Sequence, residues 1–163
     1  GNIFIYSEPG KGTTVKIYLP RIKETEKELS KPEGTEHLPR GNETVLIVED
    51  EPSVRKVAVR ILSNLGYTVF EAGDGEEALQ VAKKHNGEIC LLLTDVVMPR
   101  MSGKELADQL RMITPGIRVL FVSGYTKDVI VHNGIIEEGT DLLQKPFSQE
   151  ALACKVREVL DSA

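Results

Sequence analysis

The sequence predicts a doubly wound α/β domain, and three observations lead there. Short continuous apolar runs, such as Val45-Leu46-Ile47-Val48, suit parallel strands covered on both faces. These runs alternate with segments whose apolar residues recur at helical spacing. Five such strand–helix units fit between residues 44 and 163. Strand order 2-1-3-4-5, with helices on both faces of a five-stranded parallel sheet, is one of the two common ways to wind them.

Each element has its own signals. After Val48, Pro52 stands where a first helical position belongs, and Val54, Val57, Ala58, Ile61, Leu62 and Leu65 follow on one predicted face. Gly66 suits the end of that helix. Thr68 to Ala72 reads as the second strand, and Asp74 with Glu77 forms a capping-box pattern before Ala78, Leu79 and Ala82. Ile89 to Thr94 is the third strand, and Ser102 with Glu105 caps a helix carrying Leu106, Leu110 and Ile113. Arg118 to Ser123 is the fourth strand. The helix after it, Asp128 to Glu138, is rich in β-branched residues and contains Gly134, all poor helix formers. Leu142 to Lys145 is a short fifth strand, and Ser148 caps a last helix with Leu152, Val156, Val159 and Leu160 on one face.

Two segments precede this domain. Residues 1–20 read as a β-hairpin with Glu8-Pro9-Gly10-Lys11-Gly12 as its turn. Residues 21–43 are charge-rich and poor in aliphatics, which marks a linker.

Composition narrows the function. The 163 residues are 40% hydrophobic and 28% charged, which excludes a collagen, a coiled coil and a wholly disordered chain. With 20 basic and 25 acidic residues the net charge is −5, so nucleic acid is not an expected partner. Neither a membrane-spanning run nor a signal peptide is visible, so a cytoplasmic protein whose chain makes no membrane contact is expected. Cys90 and Cys154 form no CxxC pair and read as reduced core thiols.

The chemistry belongs at the carboxyl ends of the strands, where open parallel sheets bind ligands. Glu49-Asp50-Glu51 follows the first strand, Asp95 the third, Ser123 ends the fourth and Lys145 the fifth. Three carboxylates in the first loop would repel a nucleotide, whose site would need glycines there. Converging with Asp95, they suit a hard divalent cation, Mg²⁺, with oxygen ligands. Lys145 and Ser123 would meet the oxygens of a transferred phosphoryl group, and Asp95 is the natural nucleophile, because a carboxylate can form an acyl phosphate. Taken singly, each has a plainer reading. Glu49 and Asp50 could be a solvated helix start, Asp95 a loop cap, Ser123 a turn residue and Lys145 a surface charge. Their coincidence at the strand ends of one sheet favours the joint reading.

Val45-Leu46-Ile47-Val48-Glu49-Asp50-Glu51, Leu93-Thr94-Asp95-Val96-Val97-Met98-Pro99, Met101-Ser102-Gly103, Val122-Ser123-Gly124-Tyr125 and Leu143-Gln144-Lys145-Pro146-Phe147 together resemble the receiver domain of two-component response regulators. The resemblance implies that Asp95 is the phospho-acceptor. It implies that Glu49, Asp50, the Asp95 carboxylate and the backbone carbonyl of Val97 place Mg²⁺, and that Ser123 and Lys145 hold phosphoryl oxygens. It further implies a cis Lys145–Pro146 peptide and a phosphohistidine donor, on a histidine kinase or a histidine phosphotransfer domain, with homo-oligomerisation left open. Two features depart from the commoner pattern: Glu49 replaces an Asp, and Leu142 replaces an aromatic switch residue.

Residues 1–20 resemble the closing strands of a histidine kinase ATP-binding domain, so the chain is expected to be the carboxyl-terminal part of a hybrid kinase, with no ATP site of its own. With Ala163 just beyond the last helix, no DNA-binding output domain is expected. Gly10-Lys11-Gly12-Thr13 does not match a Walker A loop in glycine spacing or in a Lys-Ser/Thr pair. His37, His85 and His132 read as solvated residues rather than phosphodonors. Two rival functions remain. A phosphohydrolase with an Asp nucleophile commonly needs a second Asp where Val97 stands, and a degenerate receiver used only for docking would not need all of Glu49, Asp50, Asp95, Ser123 and Lys145.

Overall fold

A computed structural model describes residues 2–19, 38–85, 87–125, 137 and 139–162. The chain divides into two compact units, Gly1–Thr35 and Glu36–Ala163.

The first unit holds strands β1 (Asn2–Glu8) and β2 (Gly12–Tyr18), paired antiparallel with Ile3 opposite Ile17 and Ile5 opposite Val15. Gly10 and Gly12 take positive φ in the turn, where a side chain would be strained. Alternation along the strands puts Ile3, Ile5, Val15 and Ile17 on one face and Phe4, Tyr6 and Tyr18 on the other, and all of them are exposed. Phe4 and Tyr18 meet edge to face at 5.8 Å between ring centroids.

The second unit is the predicted sheet. Its elements are β3 (Thr44–Val48), α1 (Pro52–Asn64), β4 (Thr68–Ala72), α2 (Gly75–Lys84), β5 (Ile89–Asp95), α3 (Gly103–Ile113), β6 (Arg118–Ser123), β7 (Leu142–Gln144) and α4 (Gln149–Asp161). The strands are parallel in the order β4-β3-β5-β6-β7, the predicted 2-1-3-4-5 arrangement. The helix expected over 128–138 lies outside the described residues, apart from Glu137. Because side chains alternate along a strand, each apolar run feeds two cores. Leu46, Val48, Leu92 and Phe121 pack with Ala78, Ala82, Leu106 and Leu110 on the α2–α3 side. Val45, Ile47, Leu91, Leu93, Leu120 and Val122 pack with Ala58, Leu62, Leu152, Val156 and Val159 on the α1–α4 side.

The predicted caps form with one variation. Ser102 and Glu105 close a reciprocal box, at 3.2 Å and 2.8 Å. Asp74 accepts from the Glu77 amide at 2.9 Å, but the Glu77 carboxylate takes the Gly73 amide instead of the Asp74 one. Pro52 opens α1 beside the N-cap Glu51, Gly66 ends it at φ +99°, and Ser148 caps α4.

Several local expectations are corrected. Val57 is 53% exposed and lies, with Val54, Pro146 and Phe147, around an open groove beside Lys145. Cys90 is half-buried and packs against the α1–α4 core, whereas Cys154 is exposed and not a core residue; both are free thiols. The apolar neighbours of Cys154 in sequence misled, because one step along α4 turns a side chain by about 100° away from the buried face. His85 is not simply solvated: it ends α2 half-buried, stacked on Phe70 at 4.1 Å, with Nδ1 3.3 Å from Glu88. His37 and His132 lie outside the described residues. Residues 38–43 pack with the second unit. Leu38 joins the α1–α4 core, the Gly41 amide donates to the Leu65 carbonyl at 3.2 Å, and Glu43 pairs with Arg157 at 2.7 Å.

Candidate functional site

The parallel register brings the ends of the strands to one edge. Val48 is level with Thr94, and Asp95 with Val122, so the residue after β3, the last residue of β5 and the last of β6 are neighbours there. Glu49 is 5% exposed, Asp95 half-buried and Asp50 exposed, and carboxylate oxygens of the three lie within 4.8 Å of one another. Lys145, just beyond β7, reaches back into this group. Its Nζ donates to Glu49 Oε2 at 2.5 Å and to Asp95 Oδ2 at 2.7 Å. One ammonium thus faces three carboxylates.

The flanking main chain is tightly tied. The Val97 amide donates to Asp95 Oδ1 at 3.1 Å, the Val96 amide to the Val122 carbonyl at 2.9 Å, and the Lys145 amide to the Ser123 carbonyl at 2.7 Å. Ser123 is buried at 1% exposure, and its Oγ accepts from the Tyr125 amide at 3.0 Å, so it stands at the edge without bonding Asp95 among the described contacts. The Lys145–Pro146 peptide is cis. Leu142 packs against the α2–α3 core, in the place where an aromatic switch was lacking in the sequence.

Charge and burial oppose each other at Glu49. Burial pushes its carboxyl above the usual value, more than the Lys145 ammonium pulls it down, and the Asp95 charge adds to the rise. Burial alone would lower Lys145, but its hydrogen bonds to Asp95 and Glu49 and their charges outweigh this and hold it above 10.5. The sign of the pH dependence follows from that. Lys145's contribution to stability is complete below its ordinary value of 10.5 and is lost as pH rises through the higher folded value. In metal-free buffer, urea denaturation from about pH 9 to about pH 12 should show an alkaline loss of stability that is smaller in Lys145→Met.

An oxygen-only donor set with too little positive charge fits a hard divalent cation, which Glu49, Asp50 and Asp95 are placed to hold. Some site contributors have no role assigned from the sequence: Thr94 and Gly103 stand only within longer motifs, and Arg55 is not singled out. The buried Thr94 donates from Oγ1 to the Asp95 carbonyl at 3.1 Å. Arg55 Nη1 donates to the Glu49 carbonyl at 2.5 Å. A Cβ on Gly103 would fall 2.1 Å from the Asp95 carbonyl oxygen. Nothing in local periodicity signals these contacts, because each is made to the backbone of a strand end.

A parallel five-stranded sheet whose carboxyl edge carries an acidic cluster closed by one lysine defines a class of signalling domain. The chain belongs to the response regulator receiver domain family, whose model matches residues 45–157. It is 42% identical over 168 residues to Sensor kinase CckA of Brucella abortus, an alignment covering 99% of this chain and 18% of that protein's length. Among solved structures it resembles the receiver domain of the hybrid histidine kinase CckA, with 41% identity and a TM-score of 0.62 over 72% of this chain and 99% of that one. It also resembles the chemotaxis protein CheY4 of Vibrio cholerae, with 31% identity and a TM-score of 0.65 over 73% and 99% of the two chains. The domain is a receiver module of two-component signalling, and its family generally binds Mg²⁺ at an acidic pocket. Membership of the receiver family implies a phosphodonor partner. No helix among the described residues is long and apolar enough to cross a membrane.

Proposed function

We propose that Asp95 accepts a phosphoryl group from a phosphohistidine on a histidine kinase or a histidine phosphotransfer domain. The observation that carries this reading is the lysine bridge: Lys145 holds Asp95 and Glu49 at 2.7 Å and 2.5 Å, with Asp50 in the same cluster. In the transfer an Asp95 carboxylate oxygen attacks phosphorus, the P–N bond breaks, and the imidazole nitrogen leaves with the electron pair. The product is an acyl phosphate on Asp95. The Lys145 ammonium and the Ser123 hydroxyl are the donors available to the phosphoryl oxygens. Asp50, Asp95, Glu49 and the Val97 carbonyl are the groups for Mg²⁺, which when bound would neutralise charge on the phosphoryl group. The exposed hairpin supports the further reading of residues 1–20 as the closing strands of a kinase ATP-binding domain, joined by a linker to a receiver that takes in residues 38–43. Val97 and its exposed apolar side chain give a phosphohydrolase no second carboxylate two residues after Asp95.

The full chain should take up one phosphoryl group from acetyl phosphate in the presence of Mg²⁺ and none in excess chelator; labelling that persists in chelator overturns the reading. Asp50→Asn should weaken Mg²⁺ binding by about tenfold or more, since one charge-assisted contact is worth roughly 1.5–3 kcal/mol. In metal-free buffer the same change should raise the melting temperature, because it removes one of three crowded like charges.

A further inference from the structure

We propose that Arg55 is a positioning residue for the acidic turn, acting through the Glu49 carbonyl to set where the Asp50 carboxylate points. The inference rests on the metal reading above. The Glu49 amide still donates to the Ala72 carbonyl of β4 at 3.3 Å, but among the described contacts no backbone amide donates to the Glu49 carbonyl. Arg55 supplies its partner, with Nη1 donating at 2.5 Å. The same guanidinium is anchored on the other side, where Nε pairs with Glu71 Oε2 of β4 at 3.2 Å, and its side chain is only 19% exposed. It lies over the Gly73 backbone, where a Cβ would sit 3.4 Å from Nη1. Its own backbone is fixed in the first turn of α1, the Arg55 amide donating to the Glu51 carbonyl at 3.0 Å.

Asp50 depends on this arrangement. Its neighbours are held: Glu49 by Lys145, and Glu51 by its N-cap bonds to Ser53. The Asp50 carboxylate is exposed and accepts no hydrogen bond among the described contacts, so the orientation of the Glu49–Asp50 peptide is what aims it. A charged, two-sided donor fixed by β4 is well suited to hold that peptide, since guanidinium presents several donors in a rigid fork. This makes Arg55 an outer partner of a cation site, of the kind whose loss weakens metal binding without removing a ligand.

A guanidinium acting only as a nearby positive charge would repel a cation, and its removal would tighten binding. The two roles therefore predict opposite signs. In the full chain, Arg55→Met should weaken Mg²⁺ binding by calorimetry by about tenfold, and the Mg²⁺ concentration for half-maximal labelling from acetyl phosphate should rise in step. The maximal labelling rate at saturating Mg²⁺ should stay near that of the parent. Unchanged or tighter Mg²⁺ binding overturns the inference. If Arg55→Met does not fold, Arg55→Lys decides: it keeps the charge but cannot span both the Glu49 carbonyl and Glu71, so Mg²⁺ binding must again weaken, and parental affinity overturns the proposal. A parent chain that binds no Mg²⁺ would overturn the metal reading and this inference together. A parent that binds normally beside an unaffected Arg55→Met overturns this inference alone.

Discussion

Asp95→Asn is expected to take up no phosphoryl group from acetyl phosphate at any Mg²⁺ concentration, while remaining folded. The amide that replaces the carboxylate is a poor nucleophile and cannot give an acyl phosphate, so loss of labelling should be complete rather than partial. The fold should survive for an electrostatic reason. Asp95 is one of three carboxylates within 4.8 Å, and among the described residues Lys145 is the cation paired with Asp95 and Glu49. Removing one charge leaves Glu49 paired with Lys145 and lessens the repulsion, and the asparagine oxygen can still accept from Lys145. Mass spectrometry of the labelled chain and thermal melting without metal check the two halves. Residual labelling would move the acceptor to another residue, and a collapse of the melting temperature would mean that the Lys145–Asp95 contact outweighs the like-charge repulsion.

Gly103→Ala should be the most damaging single methyl in the described part of the receiver. Gly103 opens α3, is buried, and does not have a positive φ, so backbone freedom is not what requires it. Space is. An added Cβ would lie 2.1 Å from the Asp95 carbonyl oxygen and 3.1 Å from Thr94 Cγ2, and the first of these is backbone in the central strand. Either α3 moves out, breaking the hydrogen bond that the Gly103 amide donates to the Val96 carbonyl, or the end of β5 moves and carries the acceptor with it. Overpacking of this kind costs about 1–3 kcal/mol, and urea denaturation should find the loss towards the upper end. Phosphorylation should slow as well. Gly75→Ala is the instructive comparison: its Cβ would meet the Met101 sulfur at 2.6 Å, a flexible side chain that can swing away. Equal losses for the two substitutions would contradict this account.

Much of the architecture was legible because it is local. Continuous apolar runs identified strands buried on both faces, helical spacing identified their partners, and Pro52, Gly66, Ser102 and Ser148 marked where helices begin and end. The residues at the strand ends were legible too, because a parallel sheet must bring one end of every strand to one edge. By itself the sequence determined the order of elements, the two-sided core and the candidates Glu49, Asp50, Asp95, Ser123 and Lys145. Only the tertiary structure decided how those candidates divide their contacts. Lys145 chooses Glu49 and Asp95, residues 96 and 50 positions away, while Asp50 is left exposed and Ser123, among the described contacts, takes the Tyr125 amide rather than Asp95. It also decided that Val57 and Cys154 face outward, that residues 38–43 fasten to the receiver, and that Arg55 grips the acidic turn. The reason is physical: periodicity reports which side of an element is apolar. Contacts made by backbone carbonyls and charged tips depend on the register and spacing of strands distant in sequence, which no local pattern encodes.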